Sequence, residues 1–336
     1  MPRLFRTVVA IGAGIVALSN VASPASPQPV ELLPLKLEAK IPLGDVRGRI
    51  DHMAIDLERQ RLFIAELGND SVSIVDLKDR KVLHRISGLK EPQGVGFAAS
   101  TGTFYVASAG DGSLRLFQRE NYSDIGRIDL GEDADNIRID EAGNRVIVGY
   151  GSGALAVIDA TTRGKIADIP LKGHPESFQL SRDGGRIFVN VPNAREIAVV
   201  DRSAAKQVAS WPMRSAAGNF PMALDEETGQ VFTVFRNPAK LGVFAMRDGT
   251  SLATTDICGD ADDIFLDAKR HRLYVSCGDG SLDVIEVQGG FRRIARVPTI
   301  SGARTALFVP DLDRLYLAVR AQRGEPAAVW IFQPLP

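Results

Sequence analysis

Carboxylate, amide and imidazole side chains recur along this chain at intervals of about 42 residues, each time just before a short hydrophobic run. Seven residue pairs occupy these places: Asp51-His52, Gln93-Gly94, Asp135-Asn136, Glu176-Ser177, Asn219-Phe220, Asp262-Asp263 and Arg304-Thr305. Carboxylate and amide oxygens suit a hard cation such as Ca²⁺, and histidine nitrogens suit Zn²⁺. Arginine can hold a carboxylate in a bidentate pair. If the fold brings the pairs together, they form one polar site.

The hydrophobic runs that follow the pairs form a repeat. Aligned on one residue each, they give seven repeat anchors spaced 41 to 44 residues apart: Leu62, Phe104, Val146, Ile187, Val231, Leu273 and Leu315. Within the first unit, "HMAID", "LFIAEL", "SVSIVDL" and "KVLHRI" read as four short strands separated by turns. Every unit repeats this pattern, and none contains a long stripe of apolar residues at helical spacing.

Four antiparallel strands per unit, repeated seven times, predict an all-β fold, a seven-bladed β-propeller. The seventh unit ends at "AAVWIFQPLP", which supplies a third strand but no fourth. The segment 36–44, "KLEAKIPLG", matches the fourth strands of other units and precedes the first one. We therefore expect this N-terminal strand to complete the last blade and close the ring, with 36–336 as a single domain.

Several segments resemble the YVTN-type repeat of exported bacterial propellers, the YncE-like group. They are "LFIAELGNDSVSIVDL", "IVGYGSGALAVIDATTRGKI" and "IFVNVPNAREIAVVDRSAAKQV". The resemblance covers about residues 36–336 and implies the propeller fold far more specifically than it implies a function. The Gly-His…Trp-Asp signature of WD40 repeats is missing, and two tryptophans are too few for the blade motif of quinoprotein dehydrogenases.

In a propeller the seven pairs would meet around one mouth of the central channel, which we call the funnel. The predicted ligand-binding residues are Asp51, His52, Gln93, Asp135, Asn136, Glu176, Asn219, Asp262, Asp263 and Arg304. Carboxylates crowded in this way repel one another, and a cation or a polar ligand would relieve the repulsion. Asp135, Asn136, Glu176 and Asp263 are the predicted ligands of a divalent metal, Ca²⁺ or Zn²⁺. Polar residues at such places also simply cap loop backbone or bind channel water.

Two of the four histidines are placed for chemistry. His52 and His174 both belong to loops at the funnel and are the candidate catalytic bases, and "GHPESF" (173–178) sets His174 close to Glu176. His84 falls on an outer strand and His271 in a turn on the opposite face, where a solvated role is expected. A lone histidine is more often structural than catalytic, so this assignment stays a hypothesis.

Cys258 and Cys277 are the two cysteines of the chain. Cys258 precedes the sixth unit and Cys277 ends its second strand, on the same predicted face. A disulfide between them is reasonable in an oxidising compartment. The alternative is a pair of buried thiols, and the spacing does not match a CxxC metal site.

The N-terminus has the layout of a secretory signal peptide. Arg3 and Arg6 precede an uncharged apolar stretch from Thr7 to Leu18, and small residues follow, with cleavage expected after Ala22 or Ala25. We assign 1–25 to the signal peptide and 26–35 to a linker, and expect a periplasmic or secreted protein with no membrane span after cleavage. An uncleaved membrane anchor is the alternative.

Composition and motifs favour a binding role over catalysis. The chain of 336 residues has a formal net charge of −1, without the basic excess of nucleic-acid-binding proteins. It lacks G-x-S-x-G, HExxH, P-loop and EF-hand motifs. The leading hypothesis is a monomeric exported propeller that binds a small molecule, a peptide or a periplasmic protein at the funnel. A metal-assisted hydrolase or lyase that uses the acidic funnel, similar to propeller lactonases, is the alternative. Single-stranded DNA binding is remote, because the funnel is acidic.

Overall fold

The structure is a computed structural model that describes residues 1–2, 4–5, 7–10, 33–322 and 324–336. The span Leu33–Pro336 forms a compact unit that contains every described strand. The few described residues before Leu33 carry no helix or strand. Most of the predicted signal peptide (1–25) and linker (26–35) lies outside the described residues. Within these ranges, no helix is long and apolar enough to cross a membrane.

The described chain folds into seven four-stranded antiparallel sheets, the blades. The first strand is β1 (Leu35–Gly44), and blade one follows with β2 (Met53–Asp56), β3 (Arg61–Glu66), β4 (Ser71–Asp76) and β5 (Lys81–Ser87). Blade two contains β6 (Pro92–Ala98), β7 (Thr103–Ser108), β8 (Ser113–Gln118) and β9 (Asp124–Asp129). Blade three contains β10 (Ile137–Asp140), β11 (Arg145–Tyr150), β12 (Ala154–Asp159) and β13 (Lys165–Pro170).

The remaining blades repeat the same order of strands. Blade four contains β14 (Phe178–Leu180), β15 (Arg186–Val191), β16 (Glu196–Asp201) and β17 (Lys206–Pro212), and blade five contains β18 (Ala217–Asp225), β19 (Gln230–Asn237), β20 (Ala239–Ala245) and β21 (Ser251–Asp256). Blade six contains β22 (Ala261–Asp267), β23 (Arg272–Cys277), β24 (Ser281–Glu286) and β25 (Arg292–Pro298), and blade seven contains β26 (Ala306–Val309), β27 (Arg314–Val319) and β28 (Ala327–Pro334). Three short 3-10 turns lie at Leu67–Asn69, Pro192–Ala194 and Pro310–Leu312.

The predicted ring closure is confirmed. Strand β1 pairs antiparallel with β28 and serves as the outermost strand of blade seven, whose order is β26-β27-β28-β1. A blade built from both ends of the propeller ties the first and last repeats together and leaves the ring without an open seam. Each repeat anchor is the second residue of its blade's second strand, so the predicted repeat and its seven units are confirmed.

The hydrophobic core consists of seven clusters, and each lies between two neighbouring blades. The cluster between blades one and two, for example, packs Phe63 and Ile74 against Phe97 and Phe104. A corresponding cluster lies between blades seven and one, where Ile41 of β1 meets Leu62. Strand residues alternate between the two faces of a blade, and each face is covered by the next blade. This explains why one copy of the repeat cannot fold alone and why the sequence repeats it around a ring.

Candidate functional site

Backbone hydrogen bonds place the residue pairs at one level of the ring. In blades one, three and four, a hydrogen bond joins the second strand to the residue pair. The donor is the backbone amide of the residue three positions after the repeat anchor, and the acceptor is the backbone carbonyl of the second residue of the pair. These bonds join Ala65 N to His52 O (3.0 Å), Gly149 N to Asn136 O (2.9 Å) and Asn190 N to Ser177 O (3.0 Å). In blades two and six, Gly94 and Asp263 are paired with the same second-strand position. The pairs therefore surround one end of the channel.

Blade five departs from the predicted alignment by one residue. Asn219 pairs with Phe235, which lies four residues after the anchor Val231. In blade six the residue paired with the corresponding position is Ala261, which precedes the funnel pair. A bulge follows, so that Phe220 and Pro221 take the two funnel places. The long spacing of 44 residues contains this extra residue, but the sequence does not show where it enters.

Asn219 consequently has a structural role. Its side chain has no exposed surface. Its Nδ2 donates to Asn190 Oδ1 and to the backbone carbonyl of Glu196, both at 3.0 Å. These bonds fasten blade five to blade four, whereas a funnel residue would face the channel. The expectation that Asn219 binds a ligand at the funnel is corrected accordingly.

His52 lies among three carboxyl groups that come from three different blades. Its Nε2 is 3.8 Å from Asp51 Oδ1 and 3.9 Å from Asp135 Oδ1, and its Nδ1 is 4.0 Å from Asp263 Oδ1. Asp51 is 1% exposed, and Arg49 reaches its Oδ2 at 2.7 Å. Burial lowers the pKa of His52, but the neighbouring carboxylates, Asp51 first, outweigh burial and raise the pKa above its ordinary value.

His174 lies on the other side of the Asp135 carboxylate from His52. Its Nδ1 donates to the backbone carbonyl of Gly151 at 2.6 Å and lies 3.4 Å from Asp133 Oδ2. Its Nε2 is 3.9 Å from Asp135 Oδ2, so Asp135 stands between the two histidines. Burial lowers the pKa of His174, but the nearby carboxylate of Asp135 and the hydrogen bond to Gly151 raise it overall to about 9. His174 is therefore a cation at neutral pH.

Three funnel carboxyl groups hold their protons unusually tightly. Burial raises the pKa of Asp51 to about 6, that of Glu176 to about 7 and that of Asp263 to about 7. Asp135 behaves differently: burial acts to raise its pKa, but His174 and His52 lower it below the ordinary value. At neutral pH the funnel thus contains both ionised and protonated carboxyl groups in one network.

Arg304 is engaged by two carboxylates of its own chain. Its Nη1 contacts both carboxylate oxygens of Asp260 at 2.8 Å, and its Nε lies 3.1 Å from Asp262 Oδ2. Arg236 also binds Asp262, and its guanidinium lies 3.6 Å above the ring of Phe220. These contacts pair the charge of Arg304 within the protein, and its binding of a substrate carboxylate stays a prediction.

Gln93 and Gly94 mark the contact between blades two and three. The Nε2 of Gln93 lies 3.5 Å from Asp133 Oδ1. A Cβ added at Gly94 would come within 1.9 Å of the backbone oxygen of Asp135, so glycine is required for this close approach. The pair positions the loop that carries Asp133 and Asp135.

Two of the predicted metal ligands accept hydrogen bonds from different protein groups. Asp263 Oδ2 accepts a hydrogen bond from Ala306 N at 2.8 Å, and Asn136 Oδ1 accepts one from Arg138 at 3.4 Å. Among the described residues, no three side chains of His, Cys, Asp or Glu come together in a way that could hold a metal ion. The structure thus brings Asp135, Glu176 and Asp263 to one funnel, and a metal ion bound among them stays a prediction.

A cavity of about 370 Å³ lies in the central channel next to this network. His52, Arg138, Gln179 and Asp263 supply its polar lining. Its other walls are apolar and come from the innermost strands of the blades: Met53, Ala54, Ile55, Val95, Phe97, Ile137, Ile139, Phe265, Ala306 and Leu307. An apolar hollow with a few convergent polar groups is the usual form of a small-molecule site.

Sequence reasoning missed the arginines that balance the funnel acids. Arg49 precedes its pair by two residues, Arg138 follows its pair within the first strand, and Arg236 is the last residue but one of β19. None of the three belongs to the residue pairs that precede the first strands. Comparison of the aligned copies along the whole first strand would have drawn attention to Arg138, because the corresponding residue of blades one and two is Ala54 or Gly96.

Cys258 and Cys277 form a disulfide within blade six. Cys277 ends β23, and Cys258 lies in the loop that follows β21, with its backbone N–H bonded to Asp283 at 2.8 Å. The bond ties the loop that enters blade six to the second strand of that blade. It thereby steadies the chain just before Asp262 and Asp263.

Comparisons with known proteins support the architecture. No protein-family model matches the sequence, and no curated protein matches it. Among solved structures, the chain is similar to the Kuenenia stuttgartiensis hydrazine synthase, with a TM-score of 0.74 and 17% sequence identity. The similarity covers 86% of this chain and 96% of that one. At this identity the likeness concerns the fold alone, and it agrees with the seven-bladed propeller.

Proposed function

We propose that this chain is an exported, monomeric binding propeller of the YVTN-type, YncE-like group, with its ligand site in the central channel below the funnel. The observation that carries the proposal is the cavity of about 370 Å³, where apolar walls meet His52, Arg138 and Asp263. The seven-bladed fold supports a binding or scaffold role in general. The ligand we propose is a small molecule rather than a partner protein, because the cavity is a concave space lined by the innermost strands.

The funnel chemistry favours binding over catalysis. The two candidate bases face carboxylates: Asp51, Asp135 and Asp263 surround His52, and Asp133 and Asp135 flank His174. A base that activates a nucleophile would instead be within hydrogen-bond reach of a hydroxyl, a thiol or a substrate water. With His174 protonated at neutral pH, its imidazole is a donor and a positive charge rather than a proton acceptor.

Export rests on two features of the sequence and one of the structure. Arg3 and Arg6 with the apolar stretch after them have the layout of a signal peptide. The disulfide between Cys258 and Cys277 suits an oxidising compartment such as the periplasm. We therefore propose a periplasmic or secreted location. N-terminal sequencing of the protein from a periplasmic fraction tests it, and an intact Met1 in the cytoplasm would contradict it.

The binding site is tested by filling the channel. The full-length gene is expressed, and the protein is incubated with a small-molecule extract of its source cells, washed and denatured, and the released compounds are identified by mass spectrometry. Ala54 lines the cavity and is half-buried, so Ala54→Phe should occupy the channel and abolish capture. Ala54→Leu serves if the larger change lowers the melting temperature. Equal capture by wild type and both variants, or none by wild type, contradicts the proposal.

A metal-assisted hydrolase remains the second candidate, because one observation favours it. Asp135 Oδ1 is buried and accepts no hydrogen bond, although it lies between two histidines. This candidate predicts a near-stoichiometric Ca²⁺ or Zn²⁺ in protein purified without tag or chelator, lost in Glu176→Gln or Asp263→Asn. Elemental mass spectrometry measures it. Metal below a tenth of an equivalent, with no thermal shift on adding either ion, counts against hydrolysis.

A further inference from the structure

One level of the channel wall contains a single charged residue. Strand pairing aligns seven first-strand residues with the position directly after each anchor: Ala54, Gly96, Arg138, Gln179, Ala223, Phe265 and Leu307. Of these seven, Arg138 alone is charged and Gln179, its neighbour around the ring, is the one amide. The repeat therefore does not require a cation here, since six copies of it form the same strand without one.

Arg138 differs from the other funnel arginines in its partners. Arg49 pairs with Asp51, and Arg236 and Arg304 both pair with Asp260 and Asp262. Arg138 has no carboxylate oxygen within 4.0 Å anywhere in the ranges that the structure describes.

The bonds that Arg138 does make are to neutral groups. Nη1 donates to Ile137 O at 2.8 Å and to Asn136 Oδ1 at 3.4 Å, and Nη2 lies 3.3 Å from Ser177 Oγ. A guanidinium has five N–H donors, so part of the fork is left for another acceptor. Burial lowers the pKa of Arg138, with Asp263 and Asp135 acting in the opposite direction, and an anion beside it would offset the cost of burial.

The wall that surrounds Arg138 is apolar. Phe97, Ile139, Phe265 and Leu307 line the same cavity. Gln179, the other polar residue at this level, donates its Nε2 to the backbone oxygen of Met222 at 2.8 Å. A ligand at this level of the channel therefore meets Arg138 and a largely hydrocarbon surface, with His52 and Asp263 also lining the cavity.

We propose that the channel binds a small organic anion, a monocarboxylate on an apolar body, whose carboxylate is held by Arg138. The inference rests on the proposed function, namely that the channel is a ligand site. A planar guanidinium fork matches a carboxylate in a bidentate pair, and the apolar body is removed from water against the channel wall.

An anion fits this cavity better than a cation. The carboxylate of Asp263 also lines the cavity, but Ala306 N donates to it at 2.8 Å and His52 lies 4.0 Å away. Asp263 thus has a hydrogen-bond donor and an imidazole within 4.0 Å, whereas Arg138 has no carboxylate that close. An amine ligand would have to displace these contacts, and a carboxylate ligand would displace none.

The experiment compares matched probes by isothermal titration calorimetry on the full-length protein. Hexanoate and phenylpropanoate are titrated beside hexanol, phenylpropanol, hexylamine and phenylpropylamine. At least one carboxylate should bind at least ~10-fold more tightly than its alcohol and amine counterparts, and Arg138→Gln should weaken it ~10- to 100-fold, as expected when a charge-assisted hydrogen-bonded pair is lost.

Arg127→Gln is the matched control, because Arg127 pairs with Asp111 on an outer part of blade two and its loss changes the net charge equally. It should leave carboxylate affinity within ~2-fold, as expected for an exposed charge. Both variants are checked for an unchanged melting temperature, and Arg138→Lys, which keeps the charge, should retain part of the affinity.

Three results would overturn the inference: no carboxylate binding at millimolar concentration, tighter binding of the amines, or equal affinity in Arg138→Gln. The capture experiment with Ala54→Phe separates this failure from failure of the proposed function. A captured channel ligand that is neutral or cationic would leave the binding function standing and exclude an anionic ligand.

Discussion

The molecule has two sets of carboxyl groups, one in the turns between third and fourth strands and one at the funnel, and their surroundings differ. Asp76, Asp159 and Asp201 end the third strands of blades one, three and four. The Oδ1 of Asp76 accepts bonds from the amides of Lys78 and Asp79 at 2.8 Å, and the other two make similar bonds. These carboxylates have pKa values below the ordinary value.

At the funnel the pKa values of carboxyl groups are shifted in the opposite direction. Asp51, Glu176 and Asp263 have pKa values raised by burial, to between about 6 and about 7. A turn supplies backbone donors from its own few residues, whereas a buried funnel acid depends on partners from other blades. The acids of the turns stabilise the fold, and the buried acids of the funnel destabilise it unless they are protonated or paired. Such positions are where a function is to be sought.

The largest effect that tests this contrast is the pH dependence of stability. Asp51, Glu176, Asp263 and His174 bind protons more tightly in the folded than in the unfolded state, where the ordinary values are 3.8, 4.5, 3.8 and 6.5. The folded state therefore holds more protons, and stability falls as pH rises towards 9. Each proton that only the folded state binds lowers the free energy of unfolding by about 1.4 kcal/mol per pH unit, so we expect a total drop of at least ~4 kcal/mol from pH 5 to pH 9.

Denaturant titrations at several pH values measure this slope. The double variant Glu176→Gln and Asp263→Asn should flatten it and be more stable than wild type above pH 8. The turn acids act in the other direction: their contribution is present above pH 3.8 and is lost as pH falls through their lower folded pKa. Stability that is constant or rises from pH 6 to pH 9 would contradict the contrast.

The second largest effect on stability is expected at Asp56, a buried carboxylate at the end of β2 that is paired with an arginine side chain. Asp56 is 1% exposed and binds Arg119 through two contacts, Nε to Oδ2 at 2.6 Å and Nη2 to Oδ1 at 2.7 Å. Arg119→Met removes the partner and leaves the buried acid, so the free energy of unfolding should fall by about 3 kcal/mol. The exposed pair in Arg127→Gln should change it by less than ~1 kcal/mol. Equal losses in the two variants would show that Asp56 does not need its arginine.

The smallest effect isolates one turn carboxylate. Asp76→Ala removes the acceptor for two backbone amides and the partner of Arg61, whose Nη1 lies 2.6 Å from Asp76 Oδ2, and we expect a loss of about 1–2 kcal/mol at pH 7, measured by urea unfolding. Asp79 lies in the same turn and its exposed side chain pairs with Lys81, so Asp79→Ala is the matched control and should be nearly neutral. A loss from Asp79→Ala as large as that from Asp76→Ala would assign the stability to charge in the turn rather than to the capping bonds.

The sequence predicted the fold in detail because blade structure is local. Turn residues and alternating apolar residues set each strand, and the 42-residue period repeats them. The prediction was wrong by one residue in blade five, at Asn219. A bulge adds a residue without changing the pattern of hydrophobic residues at the anchors, so an alignment on the anchors alone cannot locate it.

The candidate site could be predicted only in part. The funnel pairs could be found because they precede each repeat, and the structure brings Asp51, Asp135 and Asp263 around His52 as partners from three blades. Arg138 could not be found from the entry loops, because within a first strand a single arginine looks like an ordinary exposed residue. Arg138 is a candidate ligand-binding residue because no carboxylate of the described residues lies within 4.0 Å of it, and only the folded structure shows this distance.

The amino-acid sequence by itself determined the number of blades, the strand order and the closure of the ring by β1, because these follow from patterns a few residues long and from their repetition. Only the tertiary structure decided which charges are compensated. Arg304 meets Asp260 across 44 residues of sequence, and His52 meets Asp263 only when the ring is closed. Electrostatic energies depend on distance and burial, and neither is defined until the blades are packed.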